Sequence, residues 1–178
     1  LGIDQASEKS KYAKSKLEGE KKIIENFPKA TILRPSVVYG NEDNFTNLFM
    51  GLLSKFPIFP LYYNGKTKFT PIHVSDLTDI IFHIIDKKIE SEIIECIGRE
   101  TINLKNIIIK LSESIEKKRL LMPMPLLIGK ITAQIFETIM TKPLLTIDQI
   151  KLLNYDNISS GKHKTNFDFN MKADRIFE

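Results

Sequence analysis

With 178 residues, 42% of them hydrophobic, the chain is long enough to bury a core in one domain. Its net charge of +4 is spread as lysine pairs beside acidic residues, the pattern of solvated helix faces, which argues against nucleic-acid binding. Cys96 is the single cysteine, so no internal disulfide framework exists, and His73, His83 and His163 lack metal-ligand spacing, so no metal site is expected.

The chain opens on Leu1 without the basic start or apolar run of a signal peptide, and it reads as a piece of a longer protein. Residues from about Ser7 to Asn26 predict a long helix, ended by Phe27-Pro28 because the residue before proline avoids helical geometry. Ala30-Thr31-Ile32-Leu33 then reads as a buried strand closed by Arg34-Pro35. A helix followed at once by a continuous apolar strand is the mark of a parallel α/β sheet.

Val37 to Gly40 leads into a polar turn over Asn41 to Asn44, and then a helix with Phe45, Leu48, Phe49 and Leu52 on its apolar side. Phe56 to Tyr63, with two prolines, reads as a packed loop, and Lys66 to Pro71 as a short strand. A helix follows His73, with Ser75 or Asp76 capping its first turn and a stripe of Leu77, Ile80, Ile81, Ile84 and Ile85. Glu92 to Ile97 alternates as a strand and stops at Gly98, and Asn103 to Lys117 is a helix. Leu120 to Met140 is interrupted by Pro123, Pro125, Lys130 and Glu137, too often for a membrane-spanning helix. Its second part is an amphipathic helix over Pro125 to Met140. Thr146-Ile147-Asp148-Gln149 carries a capping-box pattern, and the polar tail from Ser159 is expected to be less ordered.

The residues richest in chemistry are Tyr12-Ala13-Lys14-Ser15-Lys16. Four apart on a helix, Tyr12 and Lys16 share a face. An ammonium beside a phenol favours the phenolate, so Tyr12 is suited to exchange a proton with a hydroxyl or carbonyl. By itself this spacing is common, and an exposed tyrosine beside a solvated lysine is the ordinary explanation. Context adds to it: the pair precedes the strand Ala30 to Leu33, then Arg34-Pro35-Ser36-Val37-Val38-Tyr39-Gly40, then Pro71-Ile72-His73-Val74-Ser75-Asp76.

In this order and spacing the set resembles the extended and atypical short-chain dehydrogenase/reductase family. The resemblance implies an α/β fold. Residues 1–85 would be the C-terminal half of a Rossmann-like NAD(P)-binding domain and residues 86–178 a smaller, mostly helical region. It implies that Tyr12 and Lys16 are the active-site pair, with Lys16 on the nicotinamide ribose. Arg34, Pro35 and Ser36 would lie along the nicotinamide of NADP(H) or NAD(H), and Tyr39-Gly40 would lead toward the substrate side. The motif at His73 to Asp76 would be mostly structural. The family's glycine-rich pyrophosphate loop is not in this sequence, and its catalytic Ser or Thr is expected upstream of Leu1, since Ser7 and Ser10 lie too close to Tyr12. The isolated 178 residues are therefore expected to be inactive.

Asn26 to Ser36, Gly40 to Phe45, the Phe56-Pro57-Ile58-Phe59-Pro60-Leu61 stretch, Met122-Pro123-Met124-Pro125 and Pro143 to Ile150 are similar to one subgroup. It is the ninth alpha-subcomplex accessory subunit of respiratory complex I and its bacterial relatives. That likeness implies a tightly held dinucleotide in a structural or assembly role, contact with complex I subunits, and a place in the cytoplasm or mitochondrial matrix, peripheral to the inner membrane. The alternative is an oxidoreductase or epimerase acting on a nucleotide-sugar or other carbonyl substrate. The stripe Leu127, Ile128, Ile131, Ile135 and Ile139 is expected to pack on the core. Lys130 and the basic run Lys162-His163-Lys164 suggest peripheral membrane contact instead, and the burial of the stripe decides between them.

Overall fold

The computed structural model of the chain describes residues 1–139 and 146–177. In chain order the elements are α1 (Ile3–Ala6), α2 (Lys11–Asn26), β1 (Ile32–Pro35), β2 (Val38–Tyr39), α3 (Asn44–Lys55) and β3 (Ile58–Leu61). A 3-10 turn (Tyr62–Gly65), β4 (Lys68–Phe69), β5 (Ile72–His73), α4 (Val74–Asp86), β6 (Ile93–Cys96), β7 (Ile102–Asn103) and α5 (Leu104–Ser114) follow. Then come β8 (Leu120–Pro123), α6 (Leu126–Ile139), α7 (Ile147–Leu152), β9 (Lys164–Thr165) and a 3-10 turn (Asn166–Phe169). Met140 and the run Pro143-Leu144-Leu145 lie outside the described residues.

The central sheet has the order β1-β6-β9 and is parallel throughout, with Ile32 opposite Ile93 and Ile94 opposite Lys164. Parallel strands need crossovers, and α3, α4 and α5 lie between β1 and β6 or between β6 and β9 in sequence. Smaller ladders pair β2 with β5 and β3 with β8 in parallel, and β4 with β7 antiparallel. One core gathers Leu53, Phe59, Leu61, Phe69, Ile107, Ile108 and Leu111, and a second places Ile72, Ile80, Ile84, Ile94 and Cys96 under the sheet.

Several expectations hold. Phe27 is the C-cap of α2, the strand read at Ala30 to Leu33 exists as β1 but runs two residues later, over Ile32–Pro35, and Thr146 and Gln149 form a reciprocal capping box at α7. Others are corrected. The long helix, α2, starts at Lys11, not Ser7, because the Ser10 side chain accepts from the Ala13 amide and acts as its N-cap, and a short α1 precedes it. At α4 the cap is His73, whose Nδ1 accepts from the Ser75 amide, while Asp76 is paired with Arg175 instead. Of the α4 stripe, Ile80 and Ile84 are buried but Ile81 and Ile85 face solvent. Leu48 of α3 is likewise at the surface, and Leu53 takes the core position.

The stretch read as a packed loop contains β3. Its partner β8 begins at Leu120, so both strands carry prolines, tolerable because each is an edge strand of a two-stranded ladder. The tail is ordered by the sheet it joins: β9 pairs with β6, and Met171, Ala173 and Phe177 are buried.

Candidate functional site

The helix α2 holds the predicted pair. Tyr12 lies in its first turn and Lys16 one turn on, and the Lys16 Nζ sits 5.6 Å from the centroid of the Tyr12 ring. Ala13 is buried on the adjoining strip of the helix and packs with Ile3, Ala6 and Leu17, which fixes the orientation of that strip. Tyr12 is 54% exposed. Among the described residues, neither the Tyr12 hydroxyl nor the Lys16 ammonium has a hydrogen-bond or ion-pair partner.

Arg34 and Pro35 close β1, and Ser36 follows directly. Their side chains are committed within the protein. The Arg34 guanidinium, 6% exposed, grips Glu20 through Nε and Nη2, at 3.0 and 2.6 Å, and Asp4 through Nη1 at 2.7 Å. Burial opposes its charge, but these two carboxylates more than offset that and raise its pKa. Ser36 Oγ donates to the Asn157 carbonyl and Oδ1, at 2.9 and 2.7 Å, and accepts from the Thr70 amide at 3.2 Å. The structure thus brings Tyr12 and Lys16 together. It ties Arg34 to the same helix through Glu20, one turn beyond Lys16.

The start of α2 is held by a residue that the sequence reading kept for its own helix. Asp148 of α7 accepts from Ser10 Oγ at 2.8 Å, the Lys11 amide at 3.0 Å and the Tyr12 amide at 3.1 Å. Burial alone would raise its carboxyl, yet the bonds from Ser10, Tyr12 and Lys11 hold it below the ordinary carboxylate range. Nothing in the local pattern signals this contact, because the partners lie more than 130 residues apart. Asn157 is similar: it reaches Ser36 and, through Nδ2, the Leu1 carbonyl.

The prediction for α6 is overturned. Among the described side chains of α6 the fully buried ones are small: Ala133 is fully buried, and Gly129 meets Tyr62 so closely that an added Cβ would lie 2.2 Å from the ring. Leu127, Ile128, Ile131, Ile135 and Ile139 point outward, with Leu127 72% and Ile139 76% exposed. At Gly129 the close approach to Tyr62 leaves no room for a larger side chain. Leu120 and Met122 on β8, and Ile58 on β3, are exposed as well. No helix among the described residues is long and apolar enough to cross a membrane.

A separate open cavity of about 830 Å³ is lined by Tyr39, Gly40, Asn41, His73, Ser114 and Arg175, among others. The Tyr39 hydroxyl donates to the Arg175 carbonyl, and Arg175 pairs with the buried Asp76.

Residues 3–103, more than half of the chain, match the family described as RmlD substrate binding domain. The chain belongs to that family. The RmlD match covers every element from α1 to β7, including Tyr12, Lys16 and Arg34 to Ser36. Among curated relatives, NADH dehydrogenase [ubiquinone] 1 alpha subcomplex subunit 9 of Dictyostelium discoideum is 36% identical over 43% of this chain and 21% of its own length. The NADH-ubiquinone oxidoreductase 40 kDa subunit of Neurospora crassa is 26% identical over 85% of this chain and 40% of its own length. Both are mitochondrial proteins, and this RmlD-family chain spans less than half the length of either.

Among solved structures, a dTDP-4-dehydrorhamnose reductase from Clostridium acetobutylicum superposes with a TM-score of 0.56 at 19% identity, covering 81% of this chain and 54% of that one. A dTDP-glucose 4,6-dehydratase from Bacillus anthracis, crystallised with NAD, gives 0.55 at 17% identity, covering 65% and 40%. These likenesses establish the fold as Rossmann-like, as the sequence motifs implied.

Proposed function

We propose that this chain is the nicotinamide-side part of a protein that holds NADP(H) or NAD(H) while serving as an accessory subunit of an NADH:ubiquinone oxidoreductase. The observation that carries the dinucleotide reading is the pair of unengaged polar groups on α2. The Tyr12 hydroxyl and Lys16 ammonium are one turn apart on an exposed face, where a ribose with two vicinal hydroxyls finds a cation and a phenol together. They fit the ribose end of the dinucleotide. Lys16 donates to the ribose oxygens, and Tyr12 orients the same sugar or holds a proton at its phenolic oxygen. Arg34 contributes by fixing β1 against α2, and Pro35 and Ser36 would serve the nicotinamide end through their backbone, since the Ser36 hydroxyl is engaged by Asn157. When bound, the nicotinamide supplies a hydride donor or acceptor.

The accessory role draws support from the relatives, which are subunits of that oxidoreductase, and from the outward aliphatic face of α6, which requires a cover in the assembled state. Subunits of the assembly and the adjoining membrane surface are the candidate covers, which puts the protein in the mitochondrial matrix or the bacterial cytoplasm, peripheral to the membrane. The test is affinity purification of the tagged full-length protein from gently solubilised membranes. Recovery of NADH:ubiquinone oxidoreductase subunits is expected, with nucleotide retained by the wild type and lost in Lys16→Ala. Elution alone from the soluble fraction would overturn the accessory role, and unchanged nucleotide in Lys16→Ala would overturn the ribose role.

The second reading is an oxidoreductase or epimerase acting on a nucleotide-sugar or other carbonyl compound, with Tyr12 handling the proton. The cavity beside Tyr39, His73 and Arg175 favours it, as a space with polar groups sufficient for a small ligand. Turnover of a carbonyl substrate by the purified protein, abolished in Tyr12→Phe, would move this reading ahead. Under the accessory reading Tyr12→Phe leaves assembly intact.

A further inference from the structure

The short helix α7 has two working faces. Ile147, Ile150 and Leu153 belong to the cluster around Tyr62 and Ala133, so one face packs against α6. Leu152 belongs to the opposite cluster with Ile3, Ala6, Ala13 and Leu17, against α1 and α2. Asp148 stands one turn before Leu152, on that second face, and its carboxylate takes three hydrogen bonds from the start of α2. One of the three donors is the Tyr12 amide itself.

The other end of the connection is also polar. Glu137 on α6 accepts from the Ile147 amide at 2.9 Å, and the Thr146–Gln149 capping box fixes the first turn of α7 between the two. A continuous set of contacts therefore runs from α6, through Glu137 and Ile147, to Asp148, Ser10 and Tyr12. A carboxylate at a helix start satisfies amides that the helix leaves unpaired, and it favours the positive end of the helix dipole. Removing it lets the first turn of α2 fray, and that turn carries Tyr12.

We infer that Asp148 is a positioning residue for the Tyr12–Lys16 pair, and that through it α7 couples nucleotide occupancy at α2 to the order of α6, the helix with the exposed aliphatic face. The inference rests on the dinucleotide reading above. Coupling between the two sites is reciprocal: nucleotide steadies the outward face of α6, and a partner seated on α6 tightens the hold on nucleotide.

The test uses the full-length protein, titrated with NADH and with NADPH and followed by the fluorescence of the reduced nicotinamide. Amide hydrogen exchange is measured in parallel over α6 and α7. In the wild type, nucleotide is expected to slow exchange in both helices. Asp148→Ala is expected to weaken nucleotide binding about tenfold, the scale of a lost helix cap, and to abolish that slowing. Asp148→Asn keeps an acceptor oxygen and is expected to restore part of the affinity, which a merely bulky or space-filling role would not explain. In a Lys16→Ala background Asp148→Ala is expected to add nothing further, because it acts through the pair.

Wild-type affinity in Asp148→Ala overturns the inference. So do penalties that multiply with Lys16→Ala, or exchange in α6 and α7 that ignores nucleotide. Should Asp148→Ala fail to fold, Asp148→Asn alone carries the test: a roughly threefold loss of affinity with a weaker exchange response in α6 and α7 is expected, and wild-type affinity and exchange overturn the inference. If wild-type protein binds neither nucleotide, the dinucleotide reading falls first, before any substitution is made.

Discussion

Replacing Arg34 by alanine tests whether the sheet and the Tyr12 helix are joined through one buried cation. The guanidinium is 6% exposed and holds Glu20 (14% exposed) and Asp4 (33% exposed). Its neighbour across the ladder is Glu95, itself buried, with a carboxylate satisfied by Ser159 Oγ and by the amide and hydroxyl of Ser160. Without Arg34, Glu20 is left as an uncompensated charge that water only partly reaches, which costs about 2–3 kcal/mol, less than a fully buried pair would. Asp4 reaches water and adds about 0–1 kcal/mol. Arg34→Lys keeps the charge but not the fork that engages both carboxylates, and a loss of roughly 1–3 kcal/mol is expected. Pairing Arg34→Met with Glu20→Met removes both charges, so this double variant should be more stable than Arg34→Ala. Urea unfolding of the full-length protein, extrapolated linearly to water, gives each value. A loss below about 1 kcal/mol for Arg34→Ala, or a double variant no better than it, would refute the reasoning.

Three further outcomes follow from the geometry. Burial pushes the Cys96 thiol up to about 12, so iodoacetamide at mildly alkaline pH should leave the Cys96 peptide unmodified in native protein and label it in urea, as read by mass spectrometry. The Asp148 carboxyl is held low in the folded state, so its stabilising effect is present above the ordinary carboxylate value and lost as pH falls through the depressed one. The stability gap between wild type and Asp148→Asn should stay level from about pH 7 to about pH 5 and narrow below about 4, and a gap that grows on acidification contradicts this. Gly98→Ala would set a Cβ 1.8 Å from the Pro71 carbonyl oxygen, whereas Gly19→Ala meets nothing within 4 Å. Thermal unfolding should therefore show Gly98→Ala destabilised by about 1–3 kcal/mol and Gly19→Ala stabilised by up to about 1 kcal/mol.

The elements read correctly from sequence are those whose causes are local. The Phe27-Pro28 stop, the capping box at Thr146 and the apolar faces of Ile107, Ile108 and Leu111 each depend on residues within a turn or two. Those misread depend on partners far along the chain. Ile58 to Leu61 carries Pro60 just after Pro57 and shows no alternation of apolar and polar residues, and it becomes a strand only because Leu120 to Pro123 lies beside it. The tail is polar, yet β6 gives it a ladder to join. At the candidate site the Tyr12–Lys16 spacing was readable because helix geometry alone brings the two together. Glu20, Asp4 and Asp148 were not, since each owes its importance to a bond across the fold. The α6 stripe was misassigned because periodicity finds an apolar face without saying which side of the helix the protein occupies.

The parallel central sheet also sets the order in which the molecule can be made. β1 finds its neighbour β6, and β6 finds β9, only across gaps of about 60–70 residues, and such distant pairings close slowly. A chain emerging from the ribosome holds β1 long before β6 exists, and β6 long before β9. Until residues 164–177 are free, one edge of β6 stands open, and the second core lacks Met171 and Ala173 as the first lacks Phe177. Completion of the sheet and of both cores thus waits on the segment from β9 to Phe177. A ribosome stalled a few residues short of β9 would hold a nascent chain that proteases still cut freely.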